Sequence, residues 1–307
     1  MTERIILFPE KVRKNEFSAP RMEFDILKKT IIPFTGSTIL FGTSESGIQV
    51  AIKISAKKGG ADREWKGLNM AYHAGVSVPE PFALAKTNSE APVLISEKIE
   101  GQHLHNETDA KLRFKLGKIM RDMHDQVKIV GEEWHSSGKP NFTYYDQFII
   151  RWLHSTSKEL GQGSKTQALL NKFASAISSY CETVIPIFSH NDLHEGQVFL
   201  RSNGGLTLLD FENWKEETQL NEIAFYLFHL IRVDKVGGNF DKFLNGYLKS
   251  AHLTETEKSI MAFYLLFISA RAIEYFQNTK SRYLEKAVDT HNKILKYTDE
   301  ERLWKDY

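Results

Sequence analysis

Four side chains in this sequence would make a phosphoryl-transfer site if they converged: Lys53, Glu64, Asp192 and Asp210. Asp192 lies in "SHNDLHEGQVFL" (Ser189 to Leu200), a polar loop between two strand-like apolar runs. Gln197 follows it, and Asp210 closes the apolar run "LTLLD". Two carboxylates at the ends of adjacent short strands suit a reaction in which one orients an attacking hydroxyl. The other then holds Mg²⁺ against the phosphates. Lys53, in "VAIK", is a cation between apolar residues on a strand, and Glu64, early in the next helix, can hold it over the α- and β-phosphates. Taken singly, each has an ordinary reading: a turn-capping aspartate, a strand-end aspartate, an exposed lysine on a hairpin. Their joint occurrence in this order points to chemistry. Gly36, Ser37 and Thr38 offer backbone N–H groups and small hydroxyls that can approach phosphate; by themselves they are an ordinary tight turn.

The elements needed to position these groups are legible as patterns. "TIIPFT", "TILFGTS" and "IQVAIKIS" read as three strands in two successive hairpins, and "GGADREWKGLNMAYHAGV" as a helix stopped by Gly75. "VSVPEPFALAKT" and "APVLISEKIEG" add two strands, closing a first domain at residues 1–101. In residues 102–307 the period becomes helical in "AKLRFKLGKIMRDMHDQV", "TYYDQFIIRWLHSTSKEL" and "TQALLNKFASAISSYCETV". After the two short strand signals around Asp192 and Asp210, "LNEIAFYLFHLIRV", "FDKFLNGYLKS", "ETEKSIMAFYLLFISARAIEYFQN" and "YLEKAVDTHNKILKYT" continue to the end. The expected fold class is α+β, with a small antiparallel-sheet lobe, a larger helical lobe, and a ligand site in a cleft between them.

The 307 residues carry 40 Lys+Arg against 39 Asp+Glu. A net charge of +1 gives no broad basic surface, so nucleic acid is not a favoured partner. The one cysteine, Cys181, excludes an intramolecular disulfide, fits a reducing, cytoplasmic setting, and is read as a small helical core residue. The N-terminus lacks the long apolar run of a secretory signal. The apolar stretch Ile260 to Ala270 is too short for a membrane span and is expected to be a core helix. His190 and His194 are read as loop residues and not as a metal site, and the other nine histidines are scattered with no His-x-x-x-His zinc spacing.

The set Lys53, Glu64, "HNDLHEGQ" and "LLDFE" resembles the aminoglycoside phosphotransferase / choline kinase family of the protein-kinase-like superfamily, over about Ile31 to Phe276. The resemblance implies a bilobal kinase-like fold, ATP or GTP as donor and Mg²⁺ as cofactor. It implies Asp192 as catalytic base, Asp210 as metal ligand, Lys53 as phosphate lysine and Glu64 as its partner. Glu97, Lys98 and Ile99 fall at the adenine-binding hinge, and His190 braces its loop. The short link from Asp210 to the next helix leaves no room for a protein kinase's activation loop. About 65 residues between "MRDMH" and "SHND" match the helical segment that walls off a small acceptor. The family's asparagine is Gln197 here, one methylene longer, which leaves the second metal ligand open.

The acceptor is expected to be a hydroxyl on a small molecule: an aminoglycoside, another sugar or an amino alcohol. Tyr144, Tyr145, Asp146 and Trp152 of the inserted segment are candidates for its wall. So are Glu212, Trp214, Glu216, Glu217 and Glu222 of the later one; aromatics there can cup a quaternary ammonium. Two alternatives accompany this reading: a pseudokinase that binds nucleotide or a metabolite without turnover, motivated by Gln197, and a glycolipid or lipopolysaccharide kinase, motivated by "ADREW".

Overall fold

A computed structural model describes residues 3–31, 36–128, 163–249 and 252–299. Tyr144, Tyr145, Asp146 and Trp152 lie outside the described residues.

The chain divides into two units. The first comprises residues 1–108, 125–128 and 195–214; the second comprises 109–124, 129–194 and 215–307. Where the sequence suggests a single boundary at residue 101, the first unit runs to residue 108 and also takes in residues 125–128 and, from the middle of the sequence, 195–214.

The first unit is a closed, wholly antiparallel barrel of six strands in the order β1-β2-β3-β4-β6-β5. The strands are β1 (Glu3–Val12), β2 (Met22–Ile31), β3 (Thr38–Ser44), β4 (Gln49–Ile54), β5 (Pro81–Thr87) and β6 (Pro92–Glu97). Helix α1 (Gly60–His73) links β4 to β5 and ends before Gly75, which takes φ +78. The sequence predicts three strands ahead of this helix, and there are four. β1 was unexpected because only Leu7 of its described residues is fully buried, so no alternation marks it. β2 lies earlier than "TIIPFT" suggests, and its true signal is the alternation Met22, Phe24, Ile26 into the barrel core. That core adds Leu7, Leu40, Val50, Ile52, Val93 and Ile95, with Phe17 stacked on Phe82 at 4.9 Å. Beside the barrel, β7 (Gly101–His103), β9 (Val198–Arg201) and β10 (Leu206–Leu208) form a second sheet in the order β10-β9-β7. This pairing brings residues 195–214 into the unit.

The second unit is helical: α2 (Ala110–Gln126), α3 (Gly163–Thr183), α4 (Gln219–Arg232), α5 (Gly237–Leu248), α6 (Glu255–Asn278) and α7 (Leu284–Asp299). A two-stranded ribbon joins β8 (Ile187–Ser189) to β11 (Lys215–Glu217). Residues 215–217, "KEE", are this second strand, and Glu217, an acceptor candidate by sequence, is buried and paired with Lys215 Nζ at 2.7 Å. Helix α6 starts at a capping box, Thr254 with Glu257, and its residues 260–270 are all buried. It is long and apolar enough to cross a membrane by composition alone, but 67% of its most apolar stretch is packed inside the protein. It is the core helix the sequence suggests.

Helices α2 and α5 touch backbone to backbone. A Cβ on Gly117 would collide with the carbonyl oxygen of Phe243, and one on Gly246 with that of Phe114. No rotamer change relieves a clash with main chain, so the helices must part. Gly246→Ala is expected to lower unfolding free energy by about 1–3 kcal/mol, read as a lower urea midpoint; an unchanged midpoint would contradict this contact.

Candidate active site

Three carboxylates surround one ammonium in the first unit. Lys53 Nζ, from β4, lies 2.8 Å from Glu64 Oε2, 2.7 Å from Asp210 Oδ1 and 3.1 Å from Glu212 Oε2. Glu64 comes from α1, and Asp210 and Glu212 from the turn after β10. The lysine stem alternates with buried Val50 and Ile52, so the pleat aims Nζ away from the barrel core. Asp210 takes left-handed backbone angles, φ 62 and ψ 68, where non-glycine residues are uncommon. Such a conformation persists where surrounding contacts enforce it, and these gather at functional sites. Here Leu209 N–H donates to Gln197 O at 2.8 Å, and the Gln197 side-chain amide donates to Asp210 Oδ2 at 2.9 Å.

The charges are unbalanced. Burial by itself would lower the pKa of Lys53, but Glu64, Asp210 and Glu212 outweigh it and hold the ammonium well above the usual lysine range. A single cation cannot neutralise three acids. Burial pushes the Glu64 carboxyl up to about 7, against the pull of Lys53 and with the repulsion of Asp210. Ligand oxygens of Glu64, Asp210 and Glu212 all lie within 4.8 Å of one another. Hard oxygen donors of this kind suit Mg²⁺. A half-turn of the Gln197 amide would present its carbonyl oxygen at the same point, beside Asp210 Oδ2. The Gln197 side chain thus meets Asp210, one of the three clustered carboxylates.

Lys53, Glu64 and Asp210 of this cluster line a cavity of about 380 Å³ within the same unit. Its other walls are mainly apolar, including Ile39, Phe41, Ala51, Leu68, Leu94 and Leu209. A mainly apolar cavity whose lining includes a cation and carboxylates suits a nucleotide, which pairs a flat base with phosphates that carry a metal. Of the expected hinge residues, Glu97 and Ile99 line the cavity. The Glu97 carboxylate accepts from Arg201 at 2.8 and 3.2 Å, and its backbone N–H donates to Glu80 O at 2.8 Å. Lys98 Nζ instead reaches Gln49 Oε1 at 2.8 Å. Gly36, Ser37 and Thr38 do not line the cavity; Ser37 is fully buried, with its hydroxyl accepting from Ala56 N–H at 3.3 Å.

Two residues expected beside the acceptor are placed otherwise. Glu212 is a member of the lysine cluster. Trp214 is buried, its indole N–H donating to Arg63 O at 2.6 Å, and its ring fills the space where a Cβ on Gly67 would lie. It braces α1 and so steadies Glu64.

Asp192 belongs to the second unit, in the loop after β8. Glu222, also listed among acceptor candidates by sequence, is buried beneath this loop. It accepts the backbone N–H groups of His190 at 3.1 Å and Asn191 at 2.9 Å, and bonds His124 Nε2 at 2.8 Å. His124 Nδ1 lies 2.7 Å from the Tyr247 hydroxyl. Thr218 caps α4 and fixes Glu222 in its first turn. Burial would raise the Glu222 pKa, but His124 and the loop N–H groups hold it below the usual carboxylate range. Asn191 takes φ 58, a second left-handed residue, immediately before Asp192. The sequence held a signal for Glu222, an acid between Leu220 and Ile223 on an otherwise apolar helix, and for His124 at the end of "MRDMH".

The barrel, its lysine cluster and the helical second unit define a protein-kinase-like α+β fold. A family model described as the phosphotransferase enzyme family matches residues 50–258, which include Lys53, Glu64, Asp192 and Asp210. The chain belongs to this family. Among solved structures it is similar to a choline kinase from Streptococcus pneumoniae, with TM-score 0.61 and 16% identity over 90% of this chain and 94% of that one. It is also similar to an ethanolamine kinase from Plasmodium vivax, with TM-score 0.60 and 13% identity over 89% and 82%. A third likeness is to an amicoumacin kinase solved with AMP-PNP and Ca²⁺, with TM-score 0.59 and 14% identity over 89% and 88%. No curated protein sequence matches the chain. At these identities the likeness is one of fold.

Two outcomes test this arrangement. Because the folded pKa of Glu64 lies above its ordinary 4.5, it contributes stability below that pH that is lost as pH rises towards about 7. Glu64→Gln has no such proton to lose. Relative to the parent, metal-free Glu64→Gln should gain up to about 3 kcal/mol between pH 4.5 and 7, read by denaturant unfolding at both pH values; a parallel pH dependence would refute it. Glu222 runs the other way, stabilising above its ordinary pKa and losing this as pH falls. Glu222→Gln should cost about 2–4 kcal/mol at pH 7, with a smaller difference in acid.

Proposed function

We propose that this protein is a small-molecule kinase that uses ATP or GTP with Mg²⁺ to phosphorylate a hydroxyl of its acceptor in the cytoplasm. One observation carries the reading: a buried lysine held by Glu64, Asp210 and Glu212 in the wall of a mainly apolar cavity of about 380 Å³. Lys53 takes the α- and β-phosphates, and the apolar walls take the base. Asp210, with Glu212 and Gln197, would hold Mg²⁺, which supplies charge neutralisation at the phosphates. Asp192 orients the acceptor hydroxyl and receives its proton. A bond forms from that oxygen to the γ-phosphorus as the bond from γ-phosphorus to the β,γ-bridging oxygen breaks, releasing the nucleoside diphosphate. Choline, ethanolamine and amicoumacin, named for the similar kinases, mark the size of acceptor expected.

Asp192→Asn is expected to lower kcat about 10²–10⁴-fold and to leave nucleotide affinity within a few fold, measured as acceptor-dependent nucleotide consumption and by nucleotide titration. Undiminished turnover would overturn the assignment. Nucleotide binding with no consumption in the parent, over a broad panel of hydroxylated metabolites, would favour a binding module instead.

A further inference from the structure

Glu222, His229 and Arg232 lie along one stripe of α4, since positions seven and three apart share a helix face. Glu222 holds the backbone of His190 and Asn191. The ring of His229 lies 4.8 Å from that of His194. The stripe therefore follows the loop that carries Asp192, and Arg232 continues it one turn past His229. The Arg232 guanidinium lies over two rings, 5.6 Å from Phe276 and 5.8 Å from Tyr283. On Tyr283 a second guanidinium, Arg282, lies 5.2 Å from the ring and donates to the hydroxyl at 3.0 Å. Among the described residues Arg232 makes no ion pair and no hydrogen bond. Asp192 lies in the loop between the two points that α4 touches, 190–191 and 194, and its charge acts on Arg232 after that of Tyr283. Burial and the charges of His194 and Arg232 push the pKa of His229 well below its ordinary value, so that ring adds no charge of its own.

A half-buried guanidinium has five N–H donors in a rigid fork that matches an oxyanion, and desolvating it without an acceptor is costly. We propose that Arg232 binds an acidic group, carboxylate or phosphate, on the acceptor whose hydroxyl Asp192 orients. The proposal rests on the kinase reading above and narrows it to hydroxy acids, sugar acids or phosphorylated polyols. Acceptors of choline type would meet like charge at Arg232 and be disfavoured.

The test is calorimetric titration of the full chain with glycerate, gluconate and glycerol phosphate, beside their uncharged counterparts glycerol and sorbitol, and with choline. The acids should bind at least ten-fold more tightly than the uncharged compounds. Arg232→Gln should abolish that preference while ATP affinity stays unchanged, which also reports that the variant is folded. Arg232→Lys should keep part of it, because the charge remains and the fork is lost. The carboxylate and phosphate arms tell which oxyanion is preferred. No acid binding, preference for choline, acid binding indifferent to Arg232→Gln, or loss of ATP affinity in place of acid affinity each overturns the proposal. These readouts need no turnover, so they fail or hold independently of the Asp192→Asn experiment.

Discussion

A single ammonium shared by three carboxylates organises the first unit. Lys53 arrives on a barrel strand, Glu64 on the helix that follows, and Asp210 and Glu212 on a turn about 150 residues later in the chain. Buried charge is tolerated only when paired, and removing one partner leaves the others uncompensated. The pairing therefore ties the strand, helix and turn to one geometry. It also leaves the cluster electronegative overall, with Glu64 holding a proton near neutrality. Such a site attracts a further cation, and a bound metal would complete the charge balance that one lysine leaves unfinished.

The second unit uses the same physics with the signs exchanged. Glu222 is a buried acid satisfied by two loop N–H groups and a histidine. Its acceptor lone pairs fix the backbone of residues 190 and 191, and Asn191 takes its left-handed turn there. The geometry of Asp192 is thus set from beneath by a residue that needs no contact with any ligand. Both regions place a left-handed non-glycine residue at a candidate aspartate, at Asp210 itself and immediately before Asp192. In both, hydrogen bonds from the surrounding structure offset the strain.

The motifs were legible because their chemistry restricts residue type and order: a strand lysine, a helix glutamate and two aspartates bracketing short strands have few other joint explanations. The helices were legible for a different reason, since the 3.6-residue period of α2, α4 and α6 records which face each one buries. Where one side of an element is only partly covered, as in β1, there is no alternation to read, and that strand was missed. Roles that depend on a distant partner were also hidden. Trp214 and Glu222 looked like acceptor contacts because aromatic and acidic residues suit a ligand wall. Their partners, Arg63 and the 190–191 backbone, are remote in sequence.

The sequence by itself determined the kind of chemistry, the antiparallel and helical halves, and the identity of Lys53, Glu64 and Asp210 as a set, because local period and residue type carry that information. Tertiary structure alone decided that Glu212 joins the lysine, that Gln197 meets Asp210 through its amide, and that residues 195–214 fold with the first unit. It also decided that Arg232 lies over the rings of Phe276 and Tyr283, on the face of α4 that carries Glu222 and His229. Each of these is a relation between side chains far apart along the chain, and only packing, which brings remote segments within hydrogen-bonding distance, creates such relations.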